Sequence, residues 1–237
     1  MPRRNGSDAV RPRGRSFSGI LAFAFVGLLL CTGNGCSLGV MFGKMIMGDP
    51  MIGDDFKAFT GKSMTDGDVK VAILCSAPES IKDNFAGLQI ELLNEVSRKM
   101  SIHEINVVKP HLVARWIDDN GGVVDDLESL AEEVDADYIV KIVVDHFSYR
   151  EDNSPNLFRG RCNGQVTVFQ FTRDDSSEKP EGAPKMVYER GFKSVHPTHQ
   201  PVPADQTSAL IFRKKFMDRV GDEIARMFFK HRAGADF

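Results

Sequence analysis

The sequence predicts an α/β fold: a mixed β-sheet with helices packed on it and a long C-terminal helix, preceded by a leader and a flexible arm. Three observations predict it. β-branched apolar runs at 69–75 and 138–144 read as strands. The segments around them repeat apolar residues every three or four positions, the helical period. Of the 237 residues, 42% are hydrophobic, enough for a real core.

Residues 1–35 come first. Arg3, Arg4, Arg11, Arg13 and Arg15 face a single acid, Asp8, and an uncharged run from Ile20 to Leu30 follows. A basic segment, a short apolar segment and a small-residue exit form the secretory signal pattern. Thr32-Gly33-Asn34-Gly35 stops the run short of the about 20 apolar residues that span a bilayer. Gly35 before Cys36 resembles the bacterial lipobox, whereas Leu30 before Cys31 does not. That resemblance implies cleavage ahead of Cys36 and diacylglyceryl transfer to its thiol. Gly33 departs from the leucine usual three positions upstream of the cysteine. Each acyl methylene contributes roughly 0.8 kcal/mol on burial, so several chains anchor a protein firmly.

Residues 36–67 form the expected arm. It holds Gly39, Gly43, Gly48, Gly53, Gly61 and Gly67, too much glycine for one helix. Met41, Met45, Met47, Met51 and Met64 lie among Phe42, Ile46, Ile52, Phe56 and Phe59, an adaptable contact surface. Either the arm folds back on its own domain or it meets a partner or membrane surface.

The domain is expected over 68–232, with 233–237 as a tail. Val69–Cys75 is the first strand and Asn84–Met100 a helix with Phe85, Leu88, Leu92, Val96 and Met100 inward. A second strand at Glu104–Val108 ends at Pro110, which suits the first turn of the next helix. Leu112, Val113, Trp116 and Ile117 face inward there, and Asn120-Gly121-Gly122 stops it. Asp125 to Glu128 has capping-box spacing, with Asp125 in the cap. Leu127, Leu130, Ala131 and Val134 then point into the core. Tyr138–Val144 is apolar on nearly both faces, as a central covered strand should be. After a polar break at Tyr149–Asn156 comes Gly164–Phe171, whose shift of apolar face at Phe169 suggests a bulge or burial on both sides. A charged tip at Arg173–Pro184 leads to the partner strand Met186–Val195. A proline-rich loop, His196–Pro203, precedes the last helix, Thr207–His231, with Ile211, Phe212, Phe216, Val220, Ile224 and Phe228 inward.

The order of elements, and Leu130-Ala131-Glu132-Glu133-Val134-Asp135-Ala136-Asp137-Tyr138-Ile139-Val140, resemble a group of bacterial envelope lipoproteins. It includes the curli-secretion channel lipoprotein, the lipoprotein activators of penicillin-binding proteins and the amino-terminal domain of TolB. Ile142 stands where these relatives often place glycine. The resemblance implies a non-enzymatic domain that docks another envelope protein or assembles with its own copies. A channel of that kind needs spanning strands of about 9–11 residues with an apolar outer face. Glu189, Arg190 and Lys193 interrupt one of the two strands long enough.

Chemistry is sparse. Without the leader's five Arg and one Asp, the net charge moves from −3 to −7, which gives no support to nucleic-acid binding. His196 and His199, with Asp205 nearby, lack the further ligand a zinc site requires. Asp118, Asp119, Asp125 and Asp126 flank Gly121-Gly122 as helix stops and caps, without the alternating oxygens of a calcium loop. Cys75-Ser76 has no base placed beside it. No phosphate-binding glycine loop occurs, and no cofactor is implied. Arg213, Lys214, Lys215, Arg219, Arg226, Lys230 and Arg232 alternate with Asp218, Asp222 and Glu223, as on a solvated face. Cys75 and Cys162 could pair in an oxidising compartment or stay buried as small hydrophobes. The expectation is a lipid-anchored docking or assembly module on the periplasmic side of a bacterial envelope, at the outer membrane rather than the inner. Its partners are the membrane, through Cys36, and an envelope protein or its own copies. A secreted or anchored hydrolase with a dispersed site is the alternative.

Overall fold

The computed structural model describes residues 50–65, 69–122, 124–173 and 180–233. Cys36, the leader and the arm up to residue 49 lie outside the described residues, as do the tail from 234 and the hairpin tip 174–179. Residues from Met51 onward form one compact unit.

The chain enters it through β1 (Met51–Ile52) and α1 (Asp55–Thr60). Asp54 caps α1 by accepting from the Lys57 N–H at 2.9 Å, and Gly61 closes it at φ 74°. Phe56 on α1 is 1% exposed and meets Tyr138, Tyr188 and Phe228 at ring distances of 6.0, 5.6 and 5.9 Å. Met64 is equally buried. The described part of the expected arm therefore packs on the domain.

β2 (Val71–Ser76) follows, then α2 (Glu79–Asn84) and α3 (Leu88–Ile102). The helix expected over 84–100 starts only at Leu88, after Gly87 takes φ 82°, so Phe85 lies outside it, and the short helix α2 precedes it. Leu88, Leu92, Val96 and Met100 are buried as expected, joined by Leu93. The strand expected at 104–108 is reduced to one parallel bridge, Val71 with Val107. Val71 N–H donates to Asn106 O at 2.9 Å and Val108 N–H to Val71 O at 2.8 Å. Pro110 removes the donor that would extend the ladder.

α4 (Pro110–Asp119) buries Val113 and Trp116. It ends where Asn120 N–H donates to Trp116 O and Gly121 and Gly122 turn at positive φ. α5 (Leu127–Val134) is capped by Asp126, whose carboxylate accepts from Ser129 N–H at 3.0 Å. The cap is one residue later than the expected Asp125, because the helix begins at Leu127. The Leu130–Val140 phrase then serves the fold. Asp135 takes the left-handed conformation, Ala136 N–H donates to Ala131 O, and Asp137 accepts from Lys70 N–H at 2.7 Å.

β3 (Tyr138–Glu151), β4 (Ser154–Arg173) and β5 (Pro180–His196) form a long antiparallel meander. The expected polar break is only a tight turn at Asp152-Asn153, so both strands run on through it. β6 (Val202–Pro203) pairs with β4, α6 (Ala209–Ala225) follows, and β7 (His231–Arg232) pairs with β1. The main sheet has the order β2-β3-β4-β5, with β2 parallel to β3. The expected mixed sheet with helices packed on it and a long C-terminal helix is what the structure shows.

Two features fix the layers. β2 is buried from Val71 to Cys75, so both its faces are covered. On β4 the even-numbered residues are buried from Phe158 to Val168 and the odd-numbered ones between them are not, and Phe158 lies against α6. Phe147 stacks on Phe216 at 5.6 Å and Phe158 on Phe212 at 5.2 Å. α6 buries Phe212, Phe216, Val220 and Ile224, but Ile211 is 53% exposed, against expectation. In the first turn, which starts only at Ala209, Phe212 takes the inward place against Phe158, while Leu210 and Ile211 lie on the outward face.

Candidate interaction edge and groove

Among the described residues β5 closes one side of the sheet, with no strand beyond it. Which of its backbone groups face outward follows from one hydrogen bond. Phe171 N–H donates to Asp137 O at 2.9 Å, in register with the Tyr138–Gln170 pair. Odd-numbered residues of β4 therefore turn their polar groups to β3, and even-numbered ones to β5, since antiparallel pairs alternate. Their partners Tyr188, Arg190, Phe192 and Ser194 point inward. Glu189, Gly191 and Val195 direct N–H and C=O outward, and so does Lys193, whose N–H faces the Glu223 carboxyl of α6.

The two halves of this edge differ. The first contains Pro180 and Pro184, and its register with β4 shifts between Val168–Tyr188 and Phe169–Met186. The extra residue is Val187 on β5, and not one in the Gly164–Phe171 strand, which pairs regularly with β3 past Phe169. Proline and bulges blunt an edge. From Tyr188 to His196 the register is unbroken, without proline.

A groove of about 720 Å³ lies along the regular half. Arg190, Phe192 and Lys193 form one wall, Arg219, Asp222, Glu223 and Arg226 of α6 another, and Ile52, Asp55 and His231 close the end. The Tyr188 hydroxyl donates to Asp55 Oδ2 at 2.6 Å, and Arg190 pairs with the same carboxylate. Burial first, then Asp55, pushes the Tyr188 phenol well above its ordinary value. Arg226 holds Asp222 at 2.6 Å. Glu223 has its pKa raised, chiefly by burial, against the opposing pull of Ser194, Arg219 and the Lys193 N–H. The fully buried Ser194 hydroxyl lies beside that carboxyl without the geometry of a formed hydrogen bond.

Cys75 and Cys162 are buried free thiols. Burial, with a smaller contribution from Cys162, pushes the Cys75 thiol far up; Cys162 is pushed up to about 12, again first by burial. A thiol held protonated is neither nucleophile nor ligand. His196 packs its ring 5.8 Å from Phe212, and burial lowers its pKa. His199 and Asp205 are exposed. Among the described residues these groups do not converge with any third ligand, and no helix is long and apolar enough to cross a membrane.

Sequence reasoning missed the groove. Glu189, Arg190 and Lys193 registered only as charges interrupting a strand. Asp55 fell in the arm, 133 residues from its Tyr188 partner.

No family model matches the chain, and no curated protein does. Solved structures do, and bacterial lipoproteins are among them. A PelC dodecamer from Paraburkholderia phytofirmans is similar over 77% of this chain and 97% of its own, at 7% identity and a TM-score of 0.39. Lipoprotein GNA1162 from Neisseria meningitidis is similar over 67% and 99%, at 12% identity and 0.38. A minor lipoprotein from Acinetobacter baumannii is similar over 69% and 96%, at 11% identity and 0.27. None of the three bears the name of a curli-secretion channel lipoprotein, a penicillin-binding-protein activator or TolB. Scores this low decide neither fold nor function for this chain.

Proposed function

We propose that this chain is a non-enzymatic bacterial envelope protein, anchored by lipid at Cys36 on the periplasmic side, whose domain docks or assembles envelope machinery. The regular, exposed half of β5 carries the reading. Glu189, Gly191 and Val195 offer outward backbone donors and acceptors, and Lys193 an outward carbonyl, beside an open groove of mixed charge. An unpaired edge is a template for another strand unless it is blunted, and strand addition is a recurrent mode of recognition. The two thiols are buried, and burial pushes both pKa values up, which suits packing better than catalysis. Gly35-Cys36, after the basic and apolar leader, supports the anchor.

The anchor is tested by feeding cells a radioactive fatty acid and following the wild type and Cys36→Ala. Label and membrane retention in the wild type, both lost in the variant, are expected. An unlabelled wild type removes the lipid from the proposal.

A further inference from the structure

We infer that the occupant of the β5 edge is a second copy of this chain, paired antiparallel about a two-fold axis through Gly191. The inference rests on the docking reading of the same edge and specifies the partner.

Three observations lead there. The first is phase. In antiparallel pairing a residue whose polar groups face outward must meet another of the same kind. Glu189, Gly191, Lys193 and Val195 are such residues, so a copy can place Gly191 opposite Gly191, Glu189 opposite Lys193, and Val187 opposite Val195. The second is charge. This register sets two Glu189–Lys193 pairs across the junction, and both side chains are exposed in the single chain. Opposite charges facing each other across a ladder stabilise it, and like charges destabilise it. Moving the axis two residues, to Glu189 or to Lys193, sets like charges opposite each other. The only other arrangement facing Glu189 with a lysine, Lys185 about Val187, runs into the bulge beside Val187.

The third observation is space. Gly191 has no side chain at the axis, and the groove lies beside it. At Lys193 the partner's Glu189 carbonyl takes over the N–H that faces the Glu223 carboxyl in the single chain. Its position is also free to vary, because an added Cβ meets only Gly164 O, at 3.7 Å. Two-fold contacts of this kind are self-complementary and close at a dimer. The product is a continuous sheet running through both copies, with α6 of each on the same side. A different partner strand needs no symmetry of charge about one residue; this edge has it.

The test uses the full chain purified in neutral detergent. In a directly opposed, hydrogen-bonded pair the Cα atoms stand about 5.5 Å apart, within the roughly 4.4–6.8 Å that a disulfide bridges. Gly191→Cys is therefore expected to give a reducible dimer on mild oxidation. Glu189→Cys alone and Lys193→Cys alone are expected to give none, and the two mixed are expected to give one. By sedimentation equilibrium, Glu189→Lys or Lys193→Glu should weaken the dimer roughly tenfold by converting two attractive pairs to repulsive ones. The double exchange should restore it. Circular dichroism of each variant shows whether it is folded.

Cross-linking of all three single cysteines alike overturns the inference, as does an unaffected dimer in the charge reversals. A wild type that stays monomeric, with a different protein bound at Gly191, also overturns it but leaves the docking reading standing. A monomer that captures nothing at this edge overturns both.

Discussion

At Gly164 the chain has no room for a methyl group. A Cβ built there lies 2.0 Å from the Val143 carbonyl oxygen and 2.9 Å from the Phe192 ring. Overpacking costs about 1–3 kcal/mol, more where the neighbour cannot yield, and a ladder carbonyl yields least. Gly164→Ala should lose stability at or beyond the top of that range by urea denaturation, with β3, β4 and β5 all involved. At Gly221 the added Cβ meets the Glu95 side chain at 2.6 Å, a group that can swing aside. Glu223 makes a second residue-scale prediction. Its folded pKa is raised from 4.5, mainly by burial, so the folded state holds the proton more tightly than the unfolded chain. Stability from this group is full at low pH and is lost as pH rises from 4.5 through the raised value. Glu223→Gln does not titrate. Its stability relative to the wild type should therefore improve as pH rises through that window. A difference independent of pH would contradict the assignment.

Elements were legible in proportion to how local their causes are. Leu88, Leu92, Val96 and Met100 mark α3 by period alone, and all are buried. Gly121-Gly122 stops α4 because both residues take positive φ. Long-range causes were not legible. The 104–108 segment has strand composition, yet Pro110 and the helix that starts there leave it one bridge. Tyr149–Asn156 is polar because it forms the exposed end of a hairpin, and polarity does not show that its strands continue. The cap of α5 offers a test at this scale. Asp126 accepts from Ser129 N–H at 3.0 Å, whereas Asp125, 85% exposed at its side chain, pairs with Lys141 at 3.5 Å. Asp126→Ala should cost about 1 kcal/mol. Asp125→Ala should stay within about 0.5 kcal/mol, as for most surface pairs. A reversed order in thermal or urea unfolding would return the cap to Asp125.

For the whole molecule, the predicted α/β class emerged because strand and helix periods were clear in the longest segments. The edge did not, because which strand lies outermost is a property of pairing. Tyr188, Arg190 and Asp55 meet only when the entering chain folds back through Phe56, and nothing in the spacing of residues 55 and 188 announces that. The Leu130–Val140 phrase illustrates the converse. It is recognisable because it ends a helix, turns at Asp135 and starts a central strand, which are duties of the fold and carry no information about the partner.

The central claim is that contact with other proteins runs through the β5 edge. Site-specific photo-cross-linking in intact cells tests it most directly, with the probe placed in turn at Glu189 and Lys193, and at Arg115 and Asp118 on the exposed side of α4. Discrete adducts from the two β5 positions and none from α4 are predicted. Equal adducts from both elements, or adducts from α4 alone, would contradict the claim.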